Sequence, residues 1–186
     1  MTHFPLSLSR TPRALCGAAA AALCLGLAPA AVAQDGESEM PTQEVTFLSP
    51  EGEETGTATL TGTPHGLLIE LDLQNLPPES WHGFHIHEEG SCDPEDGFKS
   101  AGGHYNAGDT QHGLYLEDGP HTGDMPNQYV SADGTLKAQV LNTFASLGGE
   151  EGDVAGRALV VHGGSDDYES QSSGDAGERI ACAEIE

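Results

Sequence analysis

Leu67-Leu68-Ile69-Glu70-Leu71-Asp72-Leu73 is the stretch that decides the fold. Toward its end apolar and acidic residues alternate one for one. Successive side chains of a β-strand point to opposite faces, so this segment reads as a strand with one face in a core and one in water. Just before it, Thr63-Pro64-His65-Gly66 reads as a turn, with His65 a turn residue. The same texture continues outward in both directions: short runs of Val, Thr, Ile and Leu separated by Gly, Pro, Asn and Asp. Strands are predicted over 43–48, 56–62, 67–73, 82–88, 128–131, 135–141, 157–162 and 179–184. Ala132-Asp133-Gly134 fits a tight hairpin turn. No segment has a convincing helical period, although 143–148 has room for one helical turn. The expected class is all-β: eight short antiparallel strands forming a sandwich or flattened barrel. Two Gly- and Asp-rich stretches, 89–126 and 163–178, interrupt the rhythm, and loops of that length in a compact domain are usually functional.

The chain has 186 residues, enough for one domain with a proper core, placed at 43–186. Residues 1–33 read as a secretory signal: Arg10 and Arg13 precede an Ala- and Leu-rich run, and Ala31-Val32-Ala33 offers a cleavage site. The apolar run is about 15 residues, short of the roughly 20 that span a bilayer, so no membrane anchor is expected once the signal is removed. Cys16 and Cys24 each follow Leu where lipid attachment wants a small residue, and Arg10 and Arg13 are not adjacent as a twin-arginine signal requires. Residues 34–42 form an acidic leader. The expected location is therefore outside the cytoplasm, periplasmic or secreted. Cys92 and Cys182 remain after the signal, and in an exported chain a single disulfide is the natural reading, against free or copper-binding thiols.

The charge is extreme. All 30 acidic residues follow the signal but only four of the six basic ones do (Lys99, Lys137, Arg157 and Arg179), so four minus 30 leaves −26. Nucleic acid and anionic membranes are disfavoured as partners. Such acidity serves solubility or, more sharply, life in high salt, where screening makes self-repulsion tolerable.

Chemistry concentrates in the histidines. His85 and His87 lie two apart in Gly83-Phe84-His85-Ile86-His87-Glu88, so on a strand they share a face. His104 follows Gly102-Gly103, His112 precedes Gly113, and His121-Thr122-Gly123-Asp124 sets a carboxylate three residues from an imidazole. His162 closes Ala158-Leu159-Val160-Val161-His162. Six imidazoles and one carboxylate are enough for two metal ions; imidazole suits copper and zinc, and an added carboxylate suits zinc. His82 leads its strand and would point away from His85, so it is given no ligand role.

The stretches GFHIHE, SAGGHYN, HTGDMPN, GRALVVH and GERIAC resemble the copper/zinc superoxide dismutases, particularly their exported bacterial branch, and the match runs from about Glu44 to the C-terminus. The resemblance implies an eight-stranded Greek-key β-sandwich or barrel. It implies copper on His85, His87, His104 and His162, and zinc on His104, His112, His121 and Asp124, with His104 bridging the two. Asp166 would hydrogen-bond both His85 and His112, fixing their tautomers, and Cys92 would be tied to Cys182. The implied reaction converts superoxide to dioxygen and hydrogen peroxide on a redox-cycling copper, with zinc structural, His104 carrying a proton and Arg179 attracting the anion. The second long loop departs from the family: 163–178 holds Asp166, Asp167, Glu169, Asp175 and Glu178 but no Lys or Arg, so guidance of the substrate by charge should be weak. A non-enzymatic exported copper/zinc-binding protein on the same scaffold is the rival reading; complete ligand sets together with Arg179 argue against it. A copper-only dismutase is disfavoured by His112, His121 and Asp124, and a purely structural sandwich by the histidines. Whether two copies pair as a homodimer is not legible in the sequence.

Overall fold

A computed structural model describes residues 39–149 and 151–186; the expected secretory signal and residues 34–38 of the leader lie outside them. Nine strands run in chain order: β1 Thr42–Leu48, β2 Glu54–Thr63, β3 Gly66–Leu73, β4 Ser80–His82, β5 Phe84–His87, β6 Gln128–Val130, β7 Leu136–Asn142, β8 Ala158–His162 and β9 Arg179–Glu184. Seven form one curled antiparallel sheet in the order β5-β8-β9-β1-β2-β3-β7, and β4 pairs with β6. The β6–β7 hairpin closes through Ser131 N–H and Thr135 O at 2.8 Å, around the expected turn at Ala132-Asp133-Gly134. The only helical elements among the described residues are two short 3-10 turns, Pro94–Asp96 and Lys99–Ala101.

β3 behaves as its alternation dictates: Leu67, Ile69, Leu71 and Leu73 are buried, while Glu70 and Asp72 are exposed. The same faces of the other strands supply Phe47, Leu60, Phe84, Ile86, Leu136 and Leu159, which with the β3 residues make the main core. Burying each large apolar side chain stabilises the fold by roughly 1.5–3 kcal/mol.

Two expectations are corrected. The strand predicted over 82–88 is divided at Gly83: His82 pairs with Gln128 of β6, whereas Phe84 pairs with Val161 of β8. Gly83 is where the chain changes partners, and a Cβ there would sit 2.9 Å from the Ala176 Cβ and 3.1 Å from the His85 ring. This division makes nine strands of the expected eight. No helical turn forms over 143–148 either. There the Asn142 side-chain oxygen accepts from the Phe144 and Ala145 N–H groups at 2.8 and 3.0 Å, offering the backbone an alternative to a helical turn.

On β5, Phe84 and Ile86 enter the core, so His85 and His87 lie on the opposite, outer face of the sheet. Their cross-strand partners Val160 and Ala158 share that face and pack with Cys92, Phe98, Ala101 and Cys182 in a second apolar cluster. The Cys92–Cys182 disulfide, with Cα atoms 5.7 Å apart, fastens the first long loop to β9 over this cluster. Closing a separation of 90 residues constrains the unfolded chain by about 4–5 kcal/mol in the entropy model. Replacing both cysteines by serine is therefore expected to lower the unfolding free energy of the metal-free protein by about 2–5 kcal/mol in urea titrations; a change below about 1 kcal/mol would contradict this.

Candidate metal centre

The outer face of β5 is roofed by the first long loop. Glu88 N–H donates to Gly103 O, Tyr105 N–H to Ile86 O, and Ile86 N–H to Gly123 O, at 2.9, 2.8 and 2.9 Å. Gly123 lies so close to β5 that a Cβ would fall 2.2 Å from Ile86 O. These contacts cover the free edge of the strand and set His104 opposite His87 and Asp124 opposite His85. His162 arrives at the end of β8, across from Arg179 on β9.

Two groups result, each with ligand-type atoms within 4.8 Å of one another: His85, His87, His104 and His162, and then His104, His112, His121 and Asp124. All seven residues are buried. His104 is common to both groups.

Hydrogen bonds fix which ring nitrogen each histidine keeps free. His85 Nε2 donates to Asp166 Oδ2 at 2.8 Å, leaving Nδ1 buried without a partner. His87 Nδ1 donates to Gly102 O at 3.1 Å and His162 Nδ1 to Gly177 O at 3.2 Å, so each keeps Nε2. The two Nε2 atoms lie 3.3 Å apart. His104 Nδ1 and His112 Nδ1 converge on Asp124 Oδ1 at 2.9 and 3.0 Å, and His121 Nδ1 is 3.6 Å from the same oxygen. His104 Nε2 and His121 Nδ1 are buried with no hydrogen-bond partner. Buried polar atoms are ordinarily paired. Unpartnered imidazole nitrogens, collected around two points, are what metal ions would satisfy, so the residues present fit such ions.

Protonation follows from burial and neighbours. Burial, with the nearby His85, pushes His104 down to about 4 and His162 down to about 3. His87 is lowered by burial and by His104 and His162. Burial also opposes a charged His112, but the hydrogen bonds it donates to Asp124 and Asp166 outweigh it and raise His112 to about 9. Burial pushes the Asp124 and Asp166 carboxyls upward, yet their histidine partners hold both well below the usual carboxylate range.

Asp166 spans the two groups: Oδ2 accepts from His85 and Oδ1 from His112, at 2.8 and 3.2 Å. Its own backbone is clasped by Asn127, whose Oδ1 accepts from Asp166 N–H and whose Nδ2 donates to Asp166 O, at 2.8 and 2.9 Å. The Arg179 guanidinium donates to Phe98 O and Gly102 O, and Gly102 O is also the acceptor of His87. Every predicted ligand thus falls in one of the two groups, and the structure sets Asp166 and Arg179 beside them. His65 is exposed in the β2–β3 turn, outside both groups. His82 is buried but also outside them, its Nδ1 donating to His162 O at 2.7 Å. Sequence reasoning missed Asn127, Gln171 and the supporting role of His82, because each acts on main-chain atoms of distant residues. The only signal for Asn127 was its place inside the HTGDMPN stretch.

A sequence model of the family described as copper/zinc superoxide dismutase (SODC) matches residues 54–185. Superoxide dismutase [Cu-Zn] 1 of Aquifex aeolicus is 45% identical over 168 residues, 88% of this chain and 96% of that protein. The Caulobacter vibrioides superoxide dismutase [Cu-Zn] is 42% identical over 141 residues, 73% of this chain and 80% of that protein. Among solved structures, the Cu/Zn superoxide dismutase of Brucella abortus matches with a TM-score of 0.66 at 34% identity, covering 78% of this chain and 100% of that one. A SOD-like protein of Bacillus subtilis matches with a TM-score of 0.74 at 33% identity, covering 79% and 99%. The chain belongs to the copper/zinc superoxide dismutases, enzymes that convert superoxide to dioxygen and hydrogen peroxide with copper and zinc as cofactors.

Proposed function

We propose that His85, His87, His104 and His162 hold copper, that His104, His112, His121 and Asp124 hold zinc, and that His104 gives one ring nitrogen to each ion. An all-imidazole set suits copper, and three imidazoles with a carboxylate suit zinc. One observation carries the reading: His104 belongs to both groups, with Nδ1 turned to Asp124 and Nε2 buried and unpartnered. When bound, copper would supply one-electron redox chemistry toward superoxide, and zinc, redox-inert, would serve structure. His104 would carry and deliver a proton at Nε2 whenever that nitrogen is not held by copper. Arg179, fixed by Phe98 O and Gly102 O, draws the anion in and hydrogen-bonds it. Asp166 keeps Nε2 of His85 and of His112 as donors, turning their Nδ1 atoms to the ions.

Residues 1–33 act as a secretory signal on this reading, and the enzyme works in the periplasm; the Ala31–Ala33 cleavage pattern and the Cys92–Cys182 disulfide support it. Neither nucleic acid nor membrane is a partner of so acidic a domain.

His104→Ala is expected to abolish dismutation and to lower the content of both metals, measured by metal analysis beside a superoxide assay. Full copper and zinc with wild-type activity would overturn the assignment. The raised His112 gives a second expectation. Its folded value of about 9 lies above neutrality, so the metal-free protein carries this proton at pH 7 and zinc must displace it. Calorimetry in buffers of different ionisation enthalpy should register release of about one proton per zinc at pH 7, vanishing above about pH 9. His104 and His162, pushed down, are already neutral and release none when zinc alone is added. Proton release that does not change between pH 7 and 10 would contradict this.

The approach to the site sets a third expectation. The recess of about 330 Å³ beside Arg179 is lined by Lys99 but also by Asp96 and Glu178, so its cations are offset locally. Lys137 is paired with Asp72 at 2.8 Å, and Arg157 lies over the Tyr105 ring. Raising salt from low to moderate ionic strength should therefore leave kcat/KM unchanged or raise it; a steep fall would show that attraction dominates the approach.

A further inference from the structure

Gln171 lies in the second long loop, 59 residues from His112, and is itself solvent-exposed. Its side-chain amide nevertheless turns inward and grips both main-chain polar groups of that residue. His112 N–H donates to Gln171 Oε1 at 2.9 Å, and Gln171 Nε2 donates to His112 O at 2.7 Å. The same Nε2 donates to Glu169 O at 3.0 Å, which ties the amide back to its own loop. The amide thus pairs with His112 as a neighbouring strand would, supplying one acceptor and one donor to a stretch that belongs to no sheet.

The surroundings are built to the same end. Gly113 approaches the loop so closely that a Cβ would fall 2.1 Å from Tyr168 O. Gly174 approaches from the other side, where a Cβ would fall 1.8 Å from Asp166 Oδ1 and 2.8 Å from His112 Nε2. The His112 ring is fixed at both nitrogens, toward Asp124 and Asp166, but ring contacts leave its backbone free to slide. Gln171 is the group that pins that backbone. Asn127 does the reciprocal job, pinning from the first loop the backbone of Asp166 in the second.

We infer that Gln171 is a positioning residue for the zinc group: by clasping the His112 main chain it presets the angle at which Nδ1 of His112 meets the ion. The inference rests on the reading that His104, His112, His121 and Asp124 take zinc. Removing the amide should cost zinc affinity while leaving the four copper ligands in place, since none of the hydrogen bonds of His85, His87, His104 or His162 involves Gln171.

The test is chelator competition for zinc and, separately, for copper, on the full exported chain of wild type, Gln171→Met, Gln171→Glu and His121→Ala. Met keeps the length without either hydrogen bond. Glu keeps the acceptor for His112 N–H but sets an oxygen against His112 O. Both Gln171 variants should bind zinc about tenfold or more weakly, the range typical of groups that orient ligands, with copper affinity within about threefold. With cobalt in the zinc group, the visible spectrum should shift in both variants. The melting temperature of the metal-free protein reports general damage. Zinc affinity within twofold of wild type, or zinc and copper weakened equally, would overturn the inference. If His121→Ala also left zinc affinity unchanged, the zinc assignment would have failed; if His121→Ala lost zinc and the Gln171 variants did not, only the role of Gln171 would have failed.

Discussion

The structure depends on one carboxylate placed between two imidazoles. Asp166 accepts from His85 on one oxygen and from His112 on the other. His85 stands on β5, a rigid strand of the main sheet, whereas His112 stands in a long loop with no ladder of its own. Asp124, opposite His85 on β5, also accepts from His112, but Asp166 is the carboxylate that joins the two rings directly. Burying such a carboxylate is unfavourable unless it is well paired. Here it is: two imidazoles and the Tyr168 N–H, at 2.6 Å, serve its oxygens. The penalty of burial is thereby turned into geometric demand, because both oxygens have partners only while β5 and the two loops keep this arrangement.

That demand explains the reciprocity of the loops. Asp166 needs its backbone held, and Asn127 of the first loop holds it; His112 needs the same, and Gln171 of the second loop provides it. Each loop is therefore ordered by the other, and both lean on the sheet at β5, at Asn142 of β7, at His162 of β8 and, through Arg179 and the disulfide, at β9. Loops so long would ordinarily be mobile. Cross-bracing through main-chain atoms gives them the fixity of a sheet without a sheet's flatness, and a curved shell can close over metal ions where a sheet could not.

How much of this could be read from residues depends on the range of the interaction. The β3 alternation is local, and Leu67 to Leu73 declare their faces without reference to anything else. The members of the two His-rich groups were legible because imidazole and carboxylate side chains carry their chemistry with them, and His85 and His87 share a face by strand geometry alone. The ligand sets and Asp166 entered through resemblance, not through spacing. What escaped was conditional on tertiary position. The break at Gly83 arises because β4 and β5 answer to different partners, β6 and β8, and a period-two pattern passes through such a switch unmarked. The refusal of 143–148 to turn helical depends on Asn142, whose amide also donates to Thr122 O at 2.9 Å, between His121 and Asp124. Gln171 looks from the sequence like any polar loop residue; its meaning lies 59 positions away.

The placement of the centre on the outside of the sheet follows from packing. A small closed or nearly closed sheet has an interior just wide enough for its own side chains. Here Phe47, Leu60, Leu67, Ile69, Phe84, Ile86 and Leu159 already occupy it with essentially no exposure. Two metal ions with seven ligands would have no room there, and polar ligands would compete with the burial that stabilises the fold. On the outer face the strand still lends its rigidity to His85 and His87, while the loops exclude water from above. The arrangement separates the two tasks: the inward face of β5 serves stability through Phe84 and Ile86, and the outward face serves chemistry. A strand buried on both faces, as β5 is, is the consequence. Its four residues read apolar, imidazole, apolar, imidazole, so one alternation encodes both the core and the site.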